Sequence, residues 1–442
     1  MADLKDRVCQ EIDRHADSLI ALAEDIFEHP ELGYKETRTA GLVAERFRAL
    51  GMPFETELAL TGVKGMLAGS APGPTIAVLG ELDSLIVADH PAADQATGAV
   101  HACGHNAQIA TMIGTTTGLA KSGVLSQLAG RVACMAVPAE EYVEVGYRLG
   151  LKSEGKIEFL GGKPELLRVG AFDGVDMAMM VHTSSNRDDG RTGVSKSSNG
   201  CVVKQVTFLG HAAHAGGAPH RGINALNAAT LALQAIHANR ETFRDEDMIR
   251  VHPIITRGGD VVNAVPAEVW METFVRGRTM EAITDANRKV DRALRAGALA
   301  VGARVRIETL PGYLPLLNDP QLISLYKDNA VSLVGADEVR EIGTRGGSTD
   351  MGDITHIMPA IHPYAGGATG TGHGNDYHIK DYETAVLLPA KVMAMAVIDL
   401  LAEDAQGARA LLGEHKPRMS RKEYLESQRG LDKTVEFDGA EA

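Results

Sequence analysis

The sequence predicts an α/β protein in which a catalytic domain, built on a mixed sheet flanked by helices, carries a smaller α+β domain of ferredoxin-like pattern inserted into it. Three observations lead there. Hydrophobic residues make up 44% of the 442-residue chain but aromatics only 4%. The core must therefore come from Ala, Val, Leu, Ile and Met, as in layered α/β proteins. RVACMAV (Arg131–Val137) and AMMV (Ala178–Val181) are continuous apolar runs, suited to strands buried on both faces. Between Asn199 and Pro311, strand and helix patterns follow the order β–α–β–β–α–β. These readings place the catalytic domain at residues 1–198 and 312–442 and the inserted domain at 199–311.

Taken in order, Ala16–Leu50 reads as two helices joined at HPELG. Leu19, Leu22 and Ile26 share one face, Pro30 and Gly33 break the run, and Ala40, Val43, Phe47 and Leu50 resume it. Gly62–Ala68 and Thr75–Leu79 read as strands around the Gly69–Gly73 turn. Ala107–Ala120 is a helix. In the insert, CVVKQVTFLG alternates as a strand and Asn224–Asn239 is an Ala/Leu-rich helix. Ile249–Ile255 and Val269–Val275 are strands, Thr284–Ala296 a helix and Ala303–Thr309 a strand. Leu310–Asn318 is the return hinge. Gln321–Val334 and Ala390–Leu401 resume helices, and the polar tail from Gly413 is expected at the periphery.

A net charge of −14 without a basic block argues against nucleic acid or an anionic membrane as partner. The opening MADLKDRVCQEIDRHAD is charged from the start, unlike a secretory leader. No apolar run is expected to supply the ~20 residues of a spanning helix. Cys9, Cys103, Cys134 and Cys201 lack framework spacing. A reduced, cytoplasmic protein is the expectation.

The chemistry concentrates in VHACGHNAQIA (Val100–Ala110). Cys103 and His105 flank Gly104, so a tight turn can aim thiolate and imidazole at one point. PAEE (Pro138–Glu141), His182 at the end of AMMV, and GHG around His373 add carboxylates and imidazoles from separate segments. Three of these segments follow strands, where open α/β sheets assemble sites. A lone Cys or His is more often structural; the joint set has the composition of a catalytic metal centre. Adjacent Glu140 and Glu141 diverge from an extended strand end, so one can hold metal while the other faces substrate.

These motifs resemble the zinc-dependent amidohydrolase and metallopeptidase family of aminoacylases, carboxypeptidase G-type enzymes, indoleacetyl-amino-acid hydrolases and aminobenzoyl-glutamate hydrolases. EDIFEHPELGYKETRTAGLVAERFRALG, GELDSL, HACGHN, PAEE, GHAAHAGGAPHRGINAL, VVNAVP, GSTDMGD and TGHGNDYHIKD stand in the family's order along nearly the whole chain. The resemblance implies a metallopeptidase-like catalytic domain with a lid that dimerises. It also implies one or two divalent ions, Zn²⁺ or Mn²⁺, held by Cys103, His105, Glu141, His182 and His373. Glu140 becomes the general base, and His214 an oxyanion donor reaching a neighbouring subunit's site. Asn263 and Arg276 become groups that grip the substrate's carboxylate or assist the oxyanion, with a homodimer or higher homo-oligomer as the assembly. Asp83 and Asp350 are candidates for orienting the ligands. Glu81 holds a ligand position in other branches, work that His105 takes here.

The chain departs from the auxin-conjugate branch at Asn106 and Gln108, and its segment after PAEE is longer than in close relatives. The leading function is metal-dependent hydrolysis of an amide in a small N-acyl or N-aroyl amino acid or dipeptide-like substrate. The alternatives are an aromatic-amine aminohydrolase using the same water, and a non-catalytic binding protein on this fold.

Overall fold

The computed structural model describes residues 1–441, which divide into two compact units. The first comprises Met1–Ser197, Leu317–Thr344 and Asp353–Arg421. Its main sheet has the strand order Phe54–Leu58, Gly62–Ala68, Ala129–Val137, Ala71–Glu81, Met177–Met179, Ala360–Ile361. The sheet is mixed: Ala71–Glu81 runs parallel to Ala129–Val137 and Met177–Met179, whereas Gly62–Ala68 is antiparallel to its neighbours. Ile76–Leu79 and Val132–Val137 are buried throughout, as unbroken apolar runs require of a sheet covered on both faces.

The helix His105–Lys121 buries every residue from His105 to Leu119, the polar Asn106, Gln108 and its threonines included. The helix expected at Ala390–Leu401 runs from Leu388 to Glu414, with non-helical backbone at Ala402–Ala405. By length and composition Glu383–Glu414 would suffice to cross a membrane, which corrects the sequence reading. However, 89% of its apolar window is buried within the protein, as in a core helix. The structure also adds a helix at Ala2–Arg14. Leu4, Val8 and Ile12 recur at helical spacing between charged residues and form its buried stripe.

The second unit comprises Ser198–Leu316, Arg345–Gly352 and the chain from Lys422. Its antiparallel sheet follows the order Arg250–Val251, Glu268–Gly277, Gly200–Leu209, Arg304–Pro311, Lys433–Asp438, with Ile254–Arg257 also pairing to Glu268–Gly277. The helices Ala225–Ala238 and Met280–Val301 pack their Ala, Val and Leu faces against Val202, Val206 and Phe208. Lys204, in the same strand, is fully buried and bonded to Asp291 at 2.5 Å and to Thr309 at 2.7 Å.

Within 312–442, Arg345–Gly352 and the chain from Lys422 group with the insert. The tail is peripheral, as expected, but ordered: it forms the exposed edge strand of the sheet. Lys433–Asp438 pairs along Arg304–Thr309, setting Asp438 opposite Arg304 and Glu436 opposite Arg306. Opposite charges facing each other across two strands favour that register.

Candidate metal centre

The parallel strands deliver the site. Glu81 ends Ala71–Glu81, with Asp83 two residues on; Glu140 and Glu141 follow Ala129–Val137; His182 follows Met177–Met179. Gly104 caps the helix that His105 begins, at φ +85, a conformation that L side chains rarely adopt. A Cβ there would meet the Thr183 hydroxyl and, at 2.7 Å, the Tyr377 hydroxyl. This turn sets Cys103 and His105 side by side.

Two triads share one sulfur. Cys103, His105 and His182 have donor atoms within 4.8 Å of one another, and so do Cys103, Glu141 and His373. The Cys103 Sγ lies 3.1 Å from His182 Nε2 and 3.3 Å from His373 Nε2. His373 Nε2 is 3.2 Å from Glu141 Oε1. The adjacent acids part company: Glu140 belongs to a third group with Glu81 and His105. His105 Nδ1 donates to the Asp83 carbonyl at 2.8 Å, and His182 Nδ1 to the Thr183 carbonyl at 2.7 Å. A carbonyl only accepts, so each ring's Nε2 lone pair is aimed into the cluster. The Asp83 carboxylate takes the Glu141 N–H at 2.8 Å.

The electrostatics ask for positive charge. Burial raises the Cys103 thiol, but His182, helped by His373 and His105, overrides it and brings the thiol down to about 6. Glu141 and then Cys103 push His373 up to about 12. Burial opposes charge on His105, yet Glu81 and then Cys103 hold it well above the ordinary imidazole value. Burial would likewise raise Glu141, and the His373 charge draws it well below the carboxylate range. His105 Nε2, Glu81 Oε2, Asp83 Oδ1 and Glu141 Oε1 are buried and make no hydrogen bond of good geometry, although His105 lies 3.2 Å from Glu81 and 3.3 Å from Asp83 and His373 lies 3.2 Å from Glu141. Poorly satisfied donor atoms packed around a thiolate and carboxylates suit a divalent transition metal.

The remaining site candidates lie in the second unit. The exposed His214 ring accepts N–H bonds from Gly216 (3.1 Å) and Gly217 (2.9 Å) at Nδ1. Amide N–H groups only donate, so the neutral ring carries its proton on Nε2 and presents it outward. The Asn263 carbonyl takes the Ala215 N–H at 2.9 Å, which ties Asn263 to the His214 loop. Arg276 donates to the Ser348 hydroxyl at 3.0 Å and stacks on Phe274. Asp350, expected from the catalytic domain, is buried in the Arg345–Gly352 segment of the second unit.

Other contributors carry faint signals in the sequence. Lys163 is fully buried and pairs with Glu81 at 2.6 Å. Burial opposes the Glu81 carboxylate, but Lys163 and then His105 hold it down to about 2. The only clue was a lysine after Gly161 and Gly162 in an apolar run. Glu36, in the HPELGYKE stretch, takes the Ala139 N–H at 2.8 Å. Asn106 donates to the Ala23 carbonyl at 3.0 Å, and Gln108 accepts the Glu81 N–H at 3.3 Å.

Residues 197–301 match the peptidase dimerisation domain. The chain is 31% identical to the Xaa-Arg dipeptidase of Mus musculus over 425 residues, covering 91% of this chain and 90% of that protein. A dinuclear metal-binding peptidase of the M20 family from Bacillus subtilis shares the fold with a TM-score of 0.63 at 22% identity, over 87% of this chain and 98% of that one. The aminobenzoyl-glutamate utilization protein of Klebsiella pneumoniae does so with a TM-score of 0.64 at 19% identity, over 88% and 98%. With a near-full-length relative at that identity and its dimerisation domain in place, the chain belongs to the M20 family of metal-dependent peptidases and amidohydrolases.

Proposed function

We propose that the chain hydrolyses the amide bond of a small dipeptide or N-acyl amino acid at a centre of one or two Zn²⁺ or Mn²⁺ ions held by Cys103, His105, Glu141, His182 and His373. The observation that carries this reading is the Cys103 sulfur shared by two donor triads, with Glu140 grouped instead with Glu81 and His105. When bound, such an ion polarises the scissile carbonyl and makes water a competent nucleophile near neutral pH. Glu140 takes a proton from the attacking water and returns it to the leaving nitrogen. His214, as an Nε2–H donor supplied by the lid of a neighbouring copy, stabilises the oxyanion. Arg276 and Asn263 hold the substrate carboxylate, for which the guanidinium fork is suited. Asp83 orients His105.

The relatives support an amide substrate: one is named a dipeptidase of Xaa-Arg and another an N-acetyl-L-cysteine deacetylase. The aromatic-amine reading drew on Asn106 and Gln108, whose polar groups bond to Ala23 and Glu81 instead. Small-molecule turnover in the cytoplasm, by a homodimer formed through the lid, completes the proposal. Cys9, Cys103, Cys134 and Cys201 form no disulfide, as a reducing compartment would leave them.

The test is a mass-spectrometric screen of metal-loaded protein against dipeptides, N-acyl amino acids, aminobenzoyl-glutamate and aromatic amines. Glu140→Gln is then assayed on the best substrate. An amino acid should be released, and Glu140→Gln should lower kcat by ~10²–10⁴-fold with metal retained. Ammonia release from an aryl amine, or a Glu140→Gln variant of unaltered kcat, defeats the reading.

A further inference from the structure

The long segment after Glu141 fastens onto the turn that presents the two acids, and Arg148 makes the attachment. Arg148 lies in the helix Val145–Ser153 and is fully buried. Its Nη1 donates to the carbonyls of Leu160 at 2.7 Å and Ala139 at 3.2 Å, and its Nη2 donates to the carbonyl of Glu141. The guanidinium lies 5.5 Å from the Tyr34 ring and 5.7 Å from the Tyr142 ring. Glu140 is thus bracketed by two peptides whose carbonyls end on one cation. The N–H groups of those same residues, Ala139 and Glu141, are taken by Glu36 and Asp83, each at 2.8 Å.

This bracket holds an unfavourable backbone in place. Ala139 sits at φ +52, a left-handed conformation that a residue with a Cβ adopts only when its surroundings impose it. Gly33 of the HPELG stretch closes the arrangement from the other side. A Cβ there would meet Arg148 Nη2 and, at 3.0 Å, the Cα of Ala139.

We infer that Arg148 is a positioning residue for the hydrolysis: by fastening the carbonyls of Ala139 and Glu141 it keeps Glu140 and Glu141 pointing to different sides of the cluster. The inference rests on the proposed roles of Glu140 as base and Glu141 as ligand. It gives the long segment between Glu141 and the strand Met177–Met179 a part in catalysis. A guanidinium suits the task because its planar fork reaches several acceptors at once, which an ammonium cannot do from one place.

The experiment compares Arg148→Met, Arg148→Lys and Gly33→Ala with the wild type and with Glu140→Gln. Three quantities are read: metal content after dialysis, the thiolate-to-metal absorption of the Co²⁺-loaded protein, and kcat and KM on the substrate found by the screen. Arg148→Met should weaken metal binding at the Glu141 triad and lower kcat, each by ~10–100-fold, with KM little changed. Arg148→Lys should fall between Met and wild type, and Gly33→Ala should resemble Arg148→Lys. If Arg148→Met does not fold, the other two variants decide by the same readouts. Folded variants with a lowered melting point but wild-type metal content, Co²⁺ spectrum and kcat overturn the inference, leaving Arg148 a purely structural residue. An active Glu140→Gln would instead defeat the base assignment beneath it. An inactive Glu140→Gln beside unimpaired Arg148 variants defeats the inference alone.

Discussion

Removing the ammonium of Lys163 should destabilise the catalytic unit more than removing its whole ion pair. Lys163 and Glu81 are 2.6 Å apart and at most 1% exposed. Lys163→Met leaves the buried Glu81 carboxylate with His105, 3.2 Å away, as a remaining partner, and breaking such a pair costs up to ~3–5 kcal/mol. Lys163→Met combined with Glu81→Gln removes both charges, so most of the loss should be recovered, with a coupling energy of about 2–3 kcal/mol. The pH dependence has a definite sign. Glu81 is held at about 2, below its ordinary 4.5, so the pair's contribution is complete above 4.5 and is lost as pH falls toward 2. The gap between wild type and Lys163→Met should therefore be widest at neutral pH and narrow below 4.5. Urea unfolding of chelated protein, followed by far-UV circular dichroism, measures it. Trp270, the sole tryptophan, belongs to the second unit, so its fluorescence provides a separate record of that unit. A Lys163→Met variant within ~1 kcal/mol of wild type, or a double variant no more stable than the single, would refute this account of the pair.

The metal should exchange with protons. His373, pushed up to about 12, carries a proton at pH 7 until a metal takes its lone pair, and His105 is shifted in the same direction. Binding should therefore release protons and tighten as pH rises, read by calorimetry in buffers of different ionisation enthalpy; heats independent of buffer would rule this out. Gly104→Ala should cost on the order of 1–2 kcal/mol from its φ of +85 alone, and more from the clash with Tyr377, seen as a lowered melting point. His214→Ala should lower kcat by ~10²–10³-fold with metal content unchanged. Mixing it with Glu140→Gln subunits should restore activity in some hybrids; inactive hybrids would remove the basis for a donor supplied by a neighbouring copy.

Much of the fold was legible because its signals are local. The unbroken RVACMAV run and the alternation of CVVKQVTFLG announce, respectively, a strand covered on both faces and one packed on a single face. The donor residues were legible for a different reason. Cysteine, histidine and glutamate placed after strands are chemically restricted, and the structure brings the five ligand candidates into two triads. The helix Ala2–Arg14 carries its signal in Leu4, Val8 and Ile12, spaced four apart among the charges of the opening segment. Chain order puts Asp350 with the catalytic domain, whereas Arg345–Gly352 groups with the insert.

The sequence by itself determined which side chains were available for metal, base and lid chemistry, because spacing and residue type are properties of short segments. Tertiary structure alone decided that Cys103 serves both triads, that Lys163 and Arg148 lie buried beside the acids, and that the tail becomes a sheet strand. Each depends on a partner remote in the chain: Glu81 for Lys163 and Arg304–Thr309 for Lys433–Asp438. A charge in an apolar helix reads as a solvated group until its counter-charge is in place. Only folding removes the water that would otherwise screen the two, and that desolvation makes the pairing matter.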